Sequence, residues 1–179
     1  MFFHNLFIYG YINSSFKSME NFQIARERAI RALKTADHMV SVTYGVVKDA
    51  KLLLAILENL NVALEETMNS ILFYDRLFKR IPPFQDSFES KYNMFRLKSA
   101  RTYNLAAEYI RAIAEVKEML DEHKKSPVEF VRNDKFVICN DSYHLKTLSI
   151  DDIKKHISRT KLFIQEANII TSKDEKLFK

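Results

Sequence analysis

The chain has 179 residues, 47% of them hydrophobic and 28% charged, with a net charge of +5. That composition excludes a disordered polymer, and the length suits one domain that buries a core without disulfides or structural metal. Two glycines and three prolines leave few places where a helix must stop, which favours long helices over a many-turned β fold.

Residues 1–18 fit no helix period and read as an N-terminal extension, with Met19 an alternative start; 19–179 read as one helical domain. The aromatic run Met1-Phe2-Phe3-His4-Asn5-Leu6-Phe7-Ile8-Tyr9 lacks the basic start of an export signal. No stretch approaches the roughly 20 apolar residues of a membrane span. The single cysteine, Cys139, cannot form an internal disulfide and points to a reducing, cytoplasmic location.

The first amphipathic face, Phe22, Ala25, Ala29, Ala32, Leu33, Ala36 and Met39, predicts a helix over about 20–41 that ends near Tyr44-Gly45. From Leu53 the positions Leu57, Leu60, Leu64, Thr67, Ile71, Tyr74, Phe78 and Ile81 step by three and four alternately. That is the 3.5-residue repeat of a helix packed along a narrow seam. Pro82-Pro83 is expected to end it. A second seam follows through Phe88, Tyr92, Phe95, Ser99, Thr102, Ala106, Tyr109, Ile113, Val116, Leu120 and His123. Asp86 with Glu89 has the form of a capping box at its start, and Ser126-Pro127 closes it.

Two long helices joined by a short turn pack antiparallel, so 49–125 are expected to form a helical hairpin. Next, 127–140 read as a small β-hairpin turning at Asn133-Asp134. The last helix, about 150–170, carries Ile150, Ile153, Ile157, Thr160, Ile164 and Ala167 on one face, with Ser149 and Asp152 as a capping box. The expected fold is all-α: an up-down bundle of about four helices with a long central antiparallel hairpin and a small β-hairpin between the third and fourth. At ~1.5 Å per residue the central pair outruns the flanking helices, so its turn is expected to project as an exposed tip.

Charge marks that tip. Arg76, Lys79, Arg80, Lys91, Arg96, Lys98 and Arg101 stand against Asp86 and Glu89, so 76–101 carry 7 − 2 = +5, the whole excess of the chain. Interleaved aromatics, Phe84 among them, suggest phosphate contacts beside stacking surfaces, although Phe78, Phe88, Tyr92 and Phe95 fall on the seams and read as core.

Other chemistry has no motif. A ferritin-like centre needs Glu-x-x-His, and no Glu lies three residues before His4, His38, His123, His144 or His156. Asp152 and His156 share a helix face, but two ligands are fewer than a zinc site takes. There is no G-x-S-x-G, phosphate loop or H-E-x-x-H. No metal and no cofactor are expected.

The segment Ala29-Ile30-Arg31-Ala32-Leu33-Lys34-Thr35-Ala36-Asp37-His38 and the order of helices resemble the HEPN group of helical-bundle proteins. That group includes metal-independent ribonucleases and nucleotidyltransferase partners whose active members carry Arg, four to six residues, then His. The resemblance implies Arg31 and His38 as catalytic candidates in a composite dimer site, although the family places the motif in a late helix and here it lies in the first. The stretch Leu77-Phe78-Lys79-Arg80-Ile81-Pro82-Pro83-Phe84 is similar to short helical proteins of archaea, which brings no activity with it. The expectation carried forward is a non-catalytic interaction module. Its binding residues are Arg76, Lys79, Arg80, Phe84, Lys91, Arg96, Lys98 and Arg101, its partner is a protein or an RNA, and homodimerisation through the long seams is an option.

Overall fold

The computed structural model describes residues 21–139 and 144–173, so the N-terminal extension and the question of Met19 lie outside it. The described chain is mostly helical, with five helices and a three-stranded antiparallel sheet. Helix α1 covers 21–47: α-helix over 21–38, a π-turn at Met39–Thr43, and α-helix again at Tyr44–Val47. It runs past the expected end because Gly45 keeps helical geometry; the stop is Lys48, in the left-handed region with φ 50°. Helix α2 is Leu52–Leu77. Helix α3 covers 88–102 with a π-turn at Phe95–Ser99, and α4 is Ala107–Lys125. Strands β1 (Val128–Arg132), β2 (Lys135–Cys139) and β3 (Leu145–Leu148) precede α5, Ile150–Ser172.

Helix α2 is the central element. Leu53, Leu57, Leu60, Leu64, Thr67, Ile71 and Tyr74 of the predicted seam are all buried, and so are Ile56, Ala63, Met68 and Leu72 on its other sides. A helix apolar on several sides must be enclosed rather than packed along one stripe. Helix α1 lies antiparallel to it: Phe22 meets Tyr74 edge-on at 5.7 Å, Arg28 reaches Glu66 at 3.9 Å, and Met39 lies beside Asn59. Helices α4 and α5 are antiparallel to each other, with Tyr109 stacked on Phe163 at 5.2 Å and Arg159 3.8 Å from Glu115. Both pack on α2, α5 most extensively. A single apolar cluster joins Phe22 of α1 to Ile170 of α5.

The expected central hairpin differs in three respects. Helix α2 ends at Leu77, before the prolines. Lys79 adopts φ 56°, its N–H bonds Arg76 O at 3.1 Å, and Arg80 N–H bonds Asp75 O at 2.8 Å. This is a Schellman motif, which satisfies the last carbonyls without proline or glycine. The second arm is broken in the same way. Asn104 takes φ 51° and bonds Arg101 O at 3.2 Å, while Leu105 N–H bonds Ala100 O at 2.9 Å, so α3 and α4 are separate helices.

Third, α3 crosses the end of α2. Lys91 and Tyr103 lie ~18 Å apart along α3, yet they reach Phe73 and Asp75, two residues apart on α2. With Phe22 of α1 also packed on Tyr74, the end of α2 does not project, and the predicted tip is instead a packed crossing. The cap of α3 is also one residue later than expected. The Ser87 hydroxyl accepts from Ser90 N–H at 3.2 Å, and Asp86 is diverted to an ion pair with Lys91.

The β-hairpin forms as expected, with Asn133 and Asp134 at φ 50° and 58°, the pair of left-handed residues a type I′ turn requires. Arg132 pairs with Lys135 and Val131 with Phe136, and β3, unforeseen in the sequence, adds to β2 with Phe136 opposite Leu148. Phe136, Ile138 and Leu148 point into the apolar cluster and seat the sheet on the helices. Cys139 ends β2 half-buried. Helix α5 begins as predicted, the Ser149 hydroxyl and the Asp152 carboxylate capping each other's backbone N–H.

Candidate functional site

The basic segment is sorted by the crossing. Arg76 is half-buried and donates to Ile81 O at 3.1 Å, which fastens the turn after α2. Lys91 has a side chain only 12% exposed, is paired with Asp86, and lies 6.0 Å from the Phe73 ring. That pairing holds the Asp86 carboxyl below its ordinary range. Phe84 is half-buried and stacks on Phe73 at 6.5 Å, so it belongs to the packing and is not an open platform. These three members of the predicted set are structural.

The other five face outward. Lys79 is exposed at the left-handed turn. Arg80 lies over Phe78 and Tyr74, at 4.7 and 5.0 Å, and its Nη1 donates to the Tyr103 hydroxyl at 3.2 Å. Arg96 is exposed and bonds the neutral Asn93 Oδ1 at 3.4 Å. Lys98 and Arg101 are exposed, with no carboxylate in ion-pair range among the described residues. Between Glu89 and Glu108 the chain holds no acid at all. The open face of α3 therefore presents Arg96, Lys98 and Arg101 with Asn93 and Thr102, the turn after it adds Asn104, and the Tyr103 bond brings Arg80 to its end.

Beneath this face is a polar junction that the sequence did not single out. Asp75, 1% exposed, accepts from Ser99 Oγ at 2.5 Å and from the Tyr103 hydroxyl. Burial, then the bond to Asp75, pushes the Tyr103 phenol far above its usual range. The π-turn places it there. An α-helix would bring Thr102 onto the inner face, but the wider turn at Phe95–Ser99 leaves Thr102 exposed and turns Tyr103 inward. A polar residue in the second seam, Ser99, was the available signal.

Two other places carry titratable side chains. Arg31 and His38 are both exposed on α1, and Arg31 pairs with Glu27 one turn earlier at 3.4 Å. A recess of about 600 Å³ between α4, β3 and α5 includes Glu115, Glu118, Lys146, Asp152, His156 and Arg159 in its lining. Its charges close on themselves: Lys146 bonds Glu118 and Glu122 at 2.7 and 2.9 Å, and Arg159 stands by Glu115. His156 is 8% exposed, its Nδ1 has no hydrogen-bond partner among the described residues, and burial lowers its pKa. Among the described residues no group of three or more His, Cys, Asp or Glu could hold a metal ion, and no helix is long and apolar enough to cross a membrane. Comparison with protein-family models, with curated proteins and with solved structures gives no match to this chain.

Proposed function

We propose that the chain is a non-catalytic helical binding module that takes the phosphate backbone of a nucleic acid on the open face of α3. The observation that carries this is the exposed set Arg96, Lys98 and Arg101 on a stretch without any acid. Such cations gain affinity by releasing the counterions condensed on phosphates. An acidic protein is the lesser fit, because protein interfaces centre on apolar anchors, and Leu97, 45% exposed, is the one large apolar side chain in the middle of this face.

The test is binding of a mixed RNA and DNA pool at several salt concentrations. With three phosphate contacts, log K should fall with log salt at a slope of about −2 to −3. Reversing all three charges (Arg96→Glu, Lys98→Glu, Arg101→Glu) should abolish binding, whereas Lys91→Glu, at a position already paired, should change it far less. Binding that ignores salt and the triple reversal removes nucleic acid as the partner.

A second reading keeps Arg31 and His38, which share exposure on α1 two turns apart. A ribonuclease of the HEPN kind would cleave RNA without added metal and lose that activity in His38→Ala. Uncleaved RNA with the intact chain rejects it.

A further inference from the structure

We infer that the nucleic acid on α3 is a duplex, held by its phosphates without regard to sequence. This rests on the reading of α3 as a nucleic-acid face and narrows the class of ligand. Proteins that hold single strands combine a basic groove with exposed rings on which successive bases stack. Here the charge is on the open side of α3, and among the described residues every ring from Phe73 to Tyr103 is engaged. Phe84 stacks on Phe73, and Phe88 on Tyr92, whose hydroxyl donates to Ile110 O at 3.2 Å. Phe95 is buried against Phe163, Phe78 lies under Arg80, and Tyr103 is tied to Asp75. None of the aromatic side chains between Phe73 and Tyr103 is exposed.

A rod-like face studded with Arg, Lys, Asn and Thr fits a surface whose phosphates are already set at regular spacing, as in a duplex. Phosphate and sugar contacts fix position and carry no sequence information. The π-turn and the Asp75 junction hold the helix that carries these cations against α2, so little ordering remains to be done on binding.

The experiment is fluorescence anisotropy of the full chain with DNA and RNA duplexes of about 20 base pairs, their separate strands, and a second unrelated sequence of each. Expected are a preference for duplex over strand of about tenfold or more, with less than about threefold variation between sequences. Phe84→Ala should leave strand and duplex binding alike unchanged. Preference for DNA over RNA duplex would identify the wide major groove of the B form, which admits a helix, and the reverse would identify the A form; either upholds the inference.

Equal or tighter binding to single strands, or a tenfold preference for one sequence, overturns the duplex assignment while leaving the α3 face in place. Loss of all binding, or binding untouched by the triple charge reversal in a variant with native circular dichroism, overturns the parent reading instead.

Discussion

Ser99 of α3 donates to the buried carboxylate of Asp75 on α2, Oγ to Oδ2 at 2.5 Å, at the point where the two helices cross. With Tyr103 on the other carboxylate oxygen, both acceptors of a side chain 1% exposed are taken. Removing one partner from such a group leaves the other buried and unsatisfied, which costs more than the bond itself contributes.

Asp75→Ala should therefore lower stability by about 2–4 kcal/mol, and Tyr103→Phe by about 1.5–3 kcal/mol. In a chain of this size that is a fall in Tm of roughly 5–15 °C for the first. Thermal unfolding followed by circular dichroism checks both. Losses below about 0.5 kcal/mol in each would show that the junction does not hold the crossing.

Phe163 should be the most costly single truncation on α5. It is fully buried, stacked on Tyr109 at 5.2 Å and tilted against Phe95 at 5.8 Å, so it ties three helices together. Phe163→Ala should cost about 3–5 kcal/mol through lost transfer energy and the cavity left behind. The measurement is the urea midpoint with an unchanged slope; a shift of less than about 1 kcal/mol rejects the assignment of a packed three-helix contact.

His156 makes folding sensitive to mild acid. Burial disfavours its charged form, opposed by Glu115 and Asp152 and reinforced by Arg159. The unfolded chain takes up a proton at about pH 6.5 while the folded chain resists to lower pH. Stability contributed by the neutral ring is thus complete above the unfolded value and falls as pH drops through it. The slope is at most about 1.4 kcal/mol per pH unit for one proton. Unfolding curves between pH 8 and 5 should flatten in His156→Leu relative to the parent, whatever its absolute stability.

The α5 cap gives a signature on the acid side. Burial works to raise the Asp152 carboxyl, but the bonds with the Ser149 hydroxyl and N–H outweigh it and hold it below its ordinary range. Its contribution is present above the unfolded value of about 3.9 and is lost as pH falls toward the folded one. Ser149→Ala should cost about 1 kcal/mol at neutral pH and weaken that acid-side loss. An unchanged Tm at both pH values counts against the cap.

The legible parts of the fold were those in which one rule acts locally. Ser149 and Asp152 announce the start of α5 by side-chain chemistry alone, and Asn133-Asp134 announce their turn because few residues accept two left-handed conformations in a row. The seam of α2 holds from Leu53 to Tyr74 but not at Phe78 and Ile81, which lie past the helix end. It also undercounts the core, since burial of Ile56, Met68 and Leu72 on further faces depends on three neighbours that no single window contains.

The division of the second arm was missed because its stop signal is Asn104, a residue that tolerates the left-handed region without advertising it as glycine does. The inward turn of Tyr103 was missed because a π-turn shifts the phase of every later residue, and nothing in spacing predicts that shift. The charge excess was read correctly in amount but not in place. Which cations stay open was decided by Asp86, Phe73 and Ile81, the groups that occupy Lys91 and Arg76.

Among the described residues, strand β1 pairs on one side only and leaves all five of its residues exposed, with Val128, Phe130 and Val131 at 54, 40 and 46%. An outer ribbon of this kind is a template on which another chain can add a strand, and charged side chains are the usual deterrent. Along β1 the charged side chains are Arg132 and Glu129, the latter paired with His123 of α4. Neutralising the two together should favour self-templating along β1 and, through the lost His123 contact, also loosen the strand from α4.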